Sequence, residues 1–267
     1  MDFTAPIVLG RTDLEAGRLG VAASYGAGSA AFEEAFERGC NYFYWGSMRK
    51  NGMRQAIQNI CAQGKRDELI IVIQSYSRSA VLMEAFLKRA LKTLNITSAD
   101  VLLLGWHNKP PSQRMLDRAL EMKEKGLYRF PALSGHKRPL FPELARTDIF
   151  DLFHVRYNAA HRGAENEVFS HLQGPSRPGM VTYTATRWGH LMNAKKMPPG
   201  ESPPTAGDCY RFVLSNSNVD ICITGPKNRA EMREALRTLE LGPLDPDEMA
   251  RMKRIGDHVH EHGGMFF

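Results

Sequence analysis

Short apolar, β-branched runs recur along the chain, and most are followed by a stretch whose apolar residues have helical spacing. The apolar runs predict strands at Arg18–Ala22, Asn41–Trp45, Leu69–Gln74, Val101–Trp106, Arg129–Leu133, Leu152–Arg156, Met180–Tyr183 and Val219–Thr224. The intervening stretches predict helices at Ala30–Arg38, Met53–Gln63, Ala80–Leu94, Gln113–Lys125, Glu165–Leu172, Thr205–Ser215 and Arg229–Leu239. A strand that is separated from the next by a helix-sized segment pairs with it in parallel, because a parallel connection needs a dozen or more residues.

Eight predicted strands favour a closed (β/α)8 barrel over an open sheet. The chain has 267 residues, and about 250 is the usual length of one such barrel. The last apolar-periodic stretch, Pro246–His262, predicts an extra helix with Pro246 in its first turn. We therefore predict an α/β TIM barrel that occupies residues 1–267 as a single domain and ends in this extra helix.

Two stretches interrupt the alternation. Prolines break the segment His136–Thr147, so the helix expected there is weak. The segment Asn193–Gly207 contains four prolines and follows the seventh predicted strand. In a barrel it lies at the face where active sites are built, so it is either a mobile flap over a ligand or an idle surface loop.

Charge and hydropathy narrow the classes of function. The sequence carries 35 Lys and Arg against 29 Asp and Glu, a net charge of +6. The basic residues are scattered, whereas nucleic-acid-binding proteins concentrate theirs on one face, so we expect no nucleic-acid partner. No apolar run approaches the roughly 18 residues of a membrane span, so we expect no membrane insertion. The four cysteines lie far apart, a usage typical of free thiols in the cytoplasm.

Motifs of several common enzyme classes are missing from the sequence. It has no Gly-x-Gly-x-x-Gly, no Walker loop and no Gly-x-Ser-x-Gly. His258 and His262 share a helical face at a spacing of four residues, a pattern that suits a metal pair. A third ligand on that face is not evident, so a solvated tail is favoured and no metal is predicted.

Several stretches, taken together, resemble the aldo-keto reductase family. The matching stretches are, in order, Arg11–Gly20, Gly39–Phe43, Asp100–Leu104, Gly126–Ser134, Asp151–Asn158, Tyr183 and Ile223–Glu234. They run from about residue 10 to residue 255 at spacings that suit the family. The resemblance implies a (β/α)8 barrel that opens with a β-hairpin, and it implies reduction of carbonyls with NADPH.

The residues that carry the family's chemistry are replaced in this sequence. The family uses Asp, Tyr, Lys and His at the mouth of the barrel, with Tyr as the proton donor. The resemblance aligns these four relay positions with Tyr44, Arg49, Gln74 and Gly105, respectively. A phenol with a pKa of ~10 is a poor acid unless nearby charge tunes it. Loss of a general acid alone costs roughly 10²–10⁴ in rate, so ordinary aldo-keto chemistry is not expected at an ordinary rate.

A replacement set can still be named from the sequence. Tyr44 offers a phenol and Gln74 a neutral amide, while Arg49 offers a cation that suits a substrate carboxylate. His107 lies two residues beyond Gly105 and would face the same side of an extended strand. The alternative is that Tyr44 only packs the mouth and His107 caps a surface turn, and this plainer interpretation is favoured over a relocated proton relay.

The resemblance also assigns a set of cofactor-binding positions. Ser134 and His154 match positions that contact the nicotinamide amide, and Tyr183 matches the aromatic on which the nicotinamide stacks. The segment that would hold the adenosine 2′-phosphate and the adenine comprises Gly225, Lys227, Asn228, Glu231 and Glu234. This segment opens a helix, whose amides favour phosphate, although an ordinary helix start capped by Asn228 gives the same pattern.

The leading hypothesis is an aldo-keto reductase-like oxidoreductase that binds NADP(H) and has a non-standard or degraded catalytic site. Its substrate would be a small carbonyl compound or an anion. The alternative is a catalytically inactive, nicotinamide-binding pseudo-enzyme, for which a protein partner would be expected. A third option is a barrel that has dropped the cofactor and does something unrelated, since a fold does not fix a function.

Overall fold

Eight parallel strands close into a barrel in the computed structural model, which describes residues 1–46 and 51–262. In chain order the strands are β1 (Ile7–Val8), β2 (Glu15–Ala16), β3 (Leu19–Ala22), β4 (Tyr42–Trp45), β5 (Ile70–Ser75), β6 (Ala99–Leu104), β7 (Tyr128–Gly135), β8 (Leu152–Arg156), β9 (Gly179–Tyr183) and β10 (Ile221–Thr224). Strands β3 to β10 follow one another around the barrel, and β10 pairs with β3 to close it. The predicted α/β TIM barrel is confirmed.

Helices surround the barrel between successive strands. Within the described residues they are α1 (Ser29–Glu37), α2 (Gly52–Ala62), α3 (Ala80–Leu94), α4 (Gln113–Glu124), α5 (Leu140–Ala145), α6 (Ala164–Glu167), α7 (Ala206–Leu214), α8 (Arg229–Leu241) and α9 (Pro246–Glu261). The predicted C-terminal helix is confirmed as α9, which starts with a capping box between Asp245 and Glu248. None of the described helices is both long and apolar enough to cross a bilayer. The assignment of residues 1–267 to one domain stays a prediction.

Three predicted segments differ in detail from the structure. The helix predicted at Glu165–Leu172 is split into α6 and a 3-10 turn, because Val168 leaves the helical region at φ −130°. The proline-rich segment Asn193–Gly207 contains one 3-10 turn and ends in the first turn of α7. Strand β6 ends at Leu104 rather than at Trp106, since Trp106 has a left-handed backbone with φ 56°.

The N-terminal hairpin closes the lower end of the barrel. Strands β1 and β2 pair antiparallel, as the family resemblance implied, and the side chains of Leu9 and Leu14 pack into the barrel interior. Gly10, at φ 54°, approaches the start of β9 so closely that a Cβ on it would lie 2.5 Å from the Cα of Gly179. The hairpin therefore leaves the carboxyl ends of the strands as the open end of the barrel.

Alternation along each strand divides the side chains between the interior and the helical shell. Leu152 of β8 packs in the interior with Tyr42, whereas Phe153 and Val155 face the surrounding helices. His154 returns to the interior and contacts Tyr42. The same two-residue period places one side chain from each strand at the upper layer, where the candidate site lies.

Candidate active site at the carboxyl ends of the strands

A cavity of about 850 Å³ opens at the carboxyl ends of the barrel strands. Its wall is mainly apolar and aromatic. The lining residues are Ala22, Ser24, Tyr25, Tyr44, Gln74, Tyr76, Leu103, Trp106, Ser134, His136, His154, Tyr183, Thr184, Ala185, Thr186, Trp188, Gly189, Met192, Ala206, Tyr210, Ile223, Thr224, Gly225, Pro226, Lys227, Glu231 and Glu234. Parallel barrels build their active sites at this end, so the cavity is the candidate site.

Most of the site residues proposed from the sequence border this one cavity. They are Tyr44, Gln74, Ser134, His154, Tyr183, Gly225, Lys227, Glu231 and Glu234. Asn228 does not line it, because its side chain caps α8 by accepting a hydrogen bond from the Glu231 amide at 2.9 Å. Arg49 lies outside the described residues. Most of the residues predicted from the sequence therefore lie around one cavity, and their roles stay predictions.

His107 does not join the other predicted residues. It lines a separate cavity of about 470 Å³ beside Pro110 and Pro111, on the other side of the Trp106 backbone. The left-handed conformation of Trp106 breaks the two-residue alternation, so the expectation that His107 faces the same side as Gly105 is wrong. The amide of His107 instead donates a 2.6 Å hydrogen bond to the carbonyl of Ser134. Burial, with a contribution from Arg78, lowers the pKa of His107 to about 4.

Gln74 fills the space above Gly105. A Cβ placed on Gly105 would overlap the Gln74 amide, with the Gln74 Cδ only 2.9 Å away. The Oε1 atom of Gln74 is buried and has no hydrogen-bond partner in the described part of the chain. Two of the four relay positions are thus occupied together by a single uncharged amide, which supplies neither the ammonium nor the imidazole that the family resemblance would require.

Tyr44 supplies a phenol at the floor of the cavity. Burial raises the pKa of Tyr44 well above its ordinary value, and the neighbouring Tyr76 raises it further. Among the described residues that line this cavity, Lys227 is the only Lys or Arg, and it follows β10 rather than β4. Because burial and the neighbouring tyrosines all raise the pKa of Tyr44, this phenol is a weak proton donor at neutral pH.

His154 is held below Tyr44 by a second phenol. Its Nε2 atom lies 2.7 Å from the hydroxyl of Tyr42, and its ring centroid is 5.9 Å from that of Tyr44. Complete burial lowers the pKa of His154 to about 3, so the imidazole is neutral at pH 7. The Nε2 atom of His154 is therefore engaged by Tyr42, and the hydrogen bond to Tyr42 does not involve Nδ1.

The strands β7 and β9 present a more ordered polar surface to the cavity. Ser134 Oγ accepts the Trp106 amide at 2.9 Å, and the Tyr183 hydroxyl donates to the Gly135 carbonyl at 3.1 Å. The ring of His136 stacks on Tyr183 with centroids 6.4 Å apart. These contacts fix the position of the Tyr183 ring, which is the surface that a flat group entering the cavity would meet.

Sequence reasoning missed the aromatic rim of this cavity. Tyr25, Tyr76, Trp106 and Trp188 are between 45% and 56% exposed and all line it. His136, two residues beyond Ser134, was also missed, although its spacing from Ser134 in a strand indicates the same side of the sheet. The spacing could thus have identified His136. The four rim aromatics lie in loops after the strands, where no periodic pattern predicts which way a side chain faces.

No protein-family model and no curated protein sequence matches the chain. Solved structures do. The holo form of the aldo-keto reductase AKR11C1 from Bacillus halodurans superposes with a TM-score of 0.76 over 94% of this chain and 96% of that one, at 17% sequence identity. Its apo form gives a TM-score of 0.75 with the same coverage of both chains, at 18% identity. The chain has the aldo-keto reductase fold.

Within the aldo-keto reductase fold, the described relay positions lie on three neighbouring strands. Tyr44 belongs to β4 and Gln74 to β5, whereas Gly105 directly follows β6. The register pairs Tyr44 with Val72, two residues before Gln74, and Gln74 with Leu103, two residues before Gly105, so each position lies one step further along its strand than the last. These three positions on neighbouring strands, the relay corner, hold a phenol, an amide and a glycine.

Proposed function

We propose that this protein binds NADP(H) across the top of the barrel and uses it to reduce a small carbonyl compound with a non-standard catalytic site. The observation that carries the proposal is the single cavity that joins Ser134 and Tyr183 to the segment Gly225–Lys227. One end offers a fixed aromatic face, and the other offers an ammonium beside the first turn of a helix. This combination suits a long ligand with a flat ring at one end and phosphate at the other.

The residues at the β10 end fit the adenosine part of such a ligand. Lys227 is exposed at the rim, and its amide donates to the Glu231 carboxylate at 2.9 Å. Close packing of Tyr25 over Gly225 leaves no room for a side chain there. Thr224 Oγ1 is buried without a partner in the described residues. A ligand that supplies a donor to this hydroxyl and a phosphate to Lys227 would satisfy both groups.

The bound dinucleotide would supply the hydride, and the chain itself must position the carbonyl and deliver a proton. Tyr44 is the phenol that we assign to proton delivery, since it lines the floor of the cavity. Its raised pKa makes that delivery slow. The aromatic rim formed by Tyr76, Trp106 and Trp188 would hold the substrate and keep water away from the cavity floor.

A titration with NADPH followed by an aldehyde panel tests this proposal. We expect saturable binding and slow turnover, and we expect Tyr44→Phe to bind NADPH normally while losing most of that turnover. Unchanged turnover in Tyr44→Phe would remove Tyr44 as the proton donor. Failure of the wild-type chain to bind either NADPH or NADH would overturn the proposal as a whole.

The choice of NADP(H) over NAD(H) rests on Lys227. Lys227→Ala should weaken NADPH roughly tenfold and leave NADH nearly unchanged, because a charge-assisted bond to the 2′-phosphate is lost only with NADPH. Lys92→Ala, which removes an exposed lysine on α3, is the matched control and should change neither affinity. An equal effect of Lys227→Ala on the two cofactors would argue against a 2′-phosphate contact.

A second candidate function is that of a pseudo-enzyme that binds the dinucleotide without turning it over. The packing of Gln74 against Gly105 favours it, since this contact leaves the relay corner without a described proton donor other than Tyr44. Binding of NADPH without turnover on any aldehyde would support this alternative and would redirect the search toward a protein partner.

A further inference from the structure

We propose that Arg156 is an anion-binding residue of the candidate site and that the substrate carries a carboxylate group. This inference rests on the proposed function and deepens it by naming a substrate class. It comes from a side chain that sequence reasoning did not select, at the last residue of β8.

The strand geometry places Arg156 beside the cavity, next to residues that line it, although Arg156 is not itself a lining residue. Leu152 and His154 face the barrel interior, and His154 lines the cavity floor. Arg156 follows two residues later in the same strand, so it lies on the same side, about 6–7 Å further up. The register pairs it with Tyr183, which also lines the cavity. Arg156 therefore stands beside the flat aromatic surface that we assign to the nicotinamide.

The guanidinium of Arg156 has no acceptor among the described residues. Throughout residues 1–46 and 51–262 it makes no hydrogen bond and no ion pair, although its Nε atom is fully buried. The three most buried arginines behave differently. Arg18 and Arg187 donate to backbone carbonyls, and Arg211 donates to both oxygens of the Glu248 carboxylate. The Nε atom of Arg54 on α2 is also buried without a partner among the described residues, but of these two arginines only Arg156 is paired in register with a residue that lines the cavity, so its isolation requires an explanation.

The environment of Arg156 is positive on balance. Burial lowers the pKa of Arg156 and Arg138 lowers it further, whereas Tyr183, whose own pKa is raised by burial, offsets this only in part. Arg138 itself is paired with Glu167 at 2.6 Å. On the other side, burial together with Arg156 and Arg187 lowers the pKa of His161 to about 3. Within the described residues, no carboxylate contributes to the pKa of Arg156. An incoming anion would therefore meet a net positive site and would relieve this mutual repulsion.

A carboxylate suits this position better than the phosphate of a dinucleotide. The predicted phosphate contacts belong to the segment after β10, whereas Arg156 adjoins Tyr183 and His136 at the nicotinamide side. The planar fork of a guanidinium matches a carboxylate in a bidentate arrangement. A substrate whose ring or chain lies against the aromatic rim could extend its carboxylate over His136 to this fork.

The experiment compares benzoate with benzamide, which have the same ring and differ in charge. Calorimetry on the wild-type chain, with and without NADP+, should show tighter binding of benzoate. Arg156→Gln should weaken benzoate roughly tenfold to a hundredfold and leave benzamide unchanged. Arg89→Gln, which removes an exposed arginine on α3 and changes the net charge equally, is the matched control and should leave both affinities unchanged.

The outcomes separate this inference from the proposed function. Because Arg156 has no partner, Arg156→Gln should keep the wild-type thermal unfolding midpoint and the wild-type affinity for NADPH. Equal binding of benzoate and benzamide by the wild type, or an equal loss of benzoate in Arg89→Gln, would overturn the assignment of Arg156 even if NADPH binds. Conversely, selective benzoate binding without NADPH binding would retain the anion site and reject the cofactor.

With turnover established, paired substrates extend the test. The KM for 4-carboxybenzaldehyde should rise at least tenfold in Arg156→Gln, while kcat/KM for benzaldehyde stays unchanged. A parallel fall for both aldehydes would show that Arg156 has a general structural role rather than carboxylate recognition.

Discussion

Two sides of the same barrel rim differ in how their polar groups are satisfied. On the relay side, formed by β4 to β6, Gln74 closes over Gly105 and buries an unpaired amide oxygen. On the side that we assign to the nicotinamide (the nicotinamide side), formed by β7 to β9, Ser134 and Tyr183 make ordered hydrogen bonds, and Arg156 has no partner among the described residues. On the first side the Gln74 amide fills the space above Gly105. On the second side the Arg156 guanidinium has no described acceptor and is available to a ligand.

The comparison teaches that packing and ligand binding can be divided between two sides of one cavity. On the relay side, Gln74 fills the space above Gly105 while it still borders the cavity. On the other side, the aromatic rings border the cavity, and a guanidinium without a described partner lies next to them.

The largest expected effect is a dependence of stability on pH, to which each side contributes one histidine. Burial lowers the pKa of His154 to about 3 and that of His107, which follows the relay side, to about 4. Both are neutral when folded, whereas in the unfolded chain each takes up a proton below its ordinary pKa of about 6.5. The unfolded state then binds more protons, so stability is lost as the pH falls.

From pH 7 to pH 5 we expect each of these histidines to lower the free energy of unfolding by about 2 kcal/mol. Urea unfolding at the two pH values measures this loss. His154→Gln and His107→Gln should each flatten the pH dependence by their own share. A profile that neither substitution changes would mean that both imidazoles are accessible to protons in the folded chain.

A smaller effect tests the packing of the relay side. Gly105→Ala should lower the free energy of unfolding by about 1 kcal/mol, because the new Cβ overlaps the end of the flexible Gln74 side chain, which has to turn toward the cavity that it lines. In a Gln74→Ala background the same change should cost almost nothing. Gly207→Ala is the matched control, since a Cβ there would meet nothing closer than 3.5 Å. Additive losses in the double variant would contradict the proposed overlap.

On the nicotinamide side, Tyr183→Leu should weaken NADPH by roughly three- to tenfold, because the stacking face is lost. Tyr183→Phe keeps the ring and removes only the bond to the Gly135 carbonyl, so it should bind NADPH nearly as well as the wild type. Fluorescence titration of NADPH measures both. If Phe and Leu weakened binding equally, the hydroxyl rather than the ring face would be the important group.

The smallest effect concerns the junction between the two sides. Ser134→Ala removes the acceptor of the Trp106 amide and should lower the free energy of unfolding by about 1 kcal/mol or less. The exposed Trp106 indole reports the change by fluorescence, since its backbone would relax from the left-handed region. An unchanged emission spectrum would show that Arg78, which donates to the Trp106 carbonyl, holds this conformation on its own.

The barrel was predictable because its cause is local and repeated. Each strand run, such as Leu69–Gln74 or Leu152–Arg156, is apolar over a length that suits a buried parallel strand. The position of His107 was not predictable, since it depends on one residue, Trp106, that adopts a backbone conformation unusual for a bulky side chain. A periodic argument cannot detect a single departure from the period.

The candidate site was predictable by position and less so by contact. Tyr44, Gln74 and Tyr183 were found because a motif and a strand end locate them. The packing of Gln74 above Gly105 is a contact between β5 and the end of β6, and a sequence pattern does not give the distance between residues of different strands. Arg156 escaped notice because its significance is the lack of an acceptor, which only three-dimensional neighbours can reveal.

Since one amide occupies the room above its neighbour, the strain introduced by substitutions at residues 74 and 105 depends on their order. A histidine placed first at 105 would force the end of the Gln74 side chain to move, whereas shortening Gln74 first would open the space for it. The route to imidazole chemistry with the least strain in this barrel therefore begins on β5 and reaches the end of β6 second.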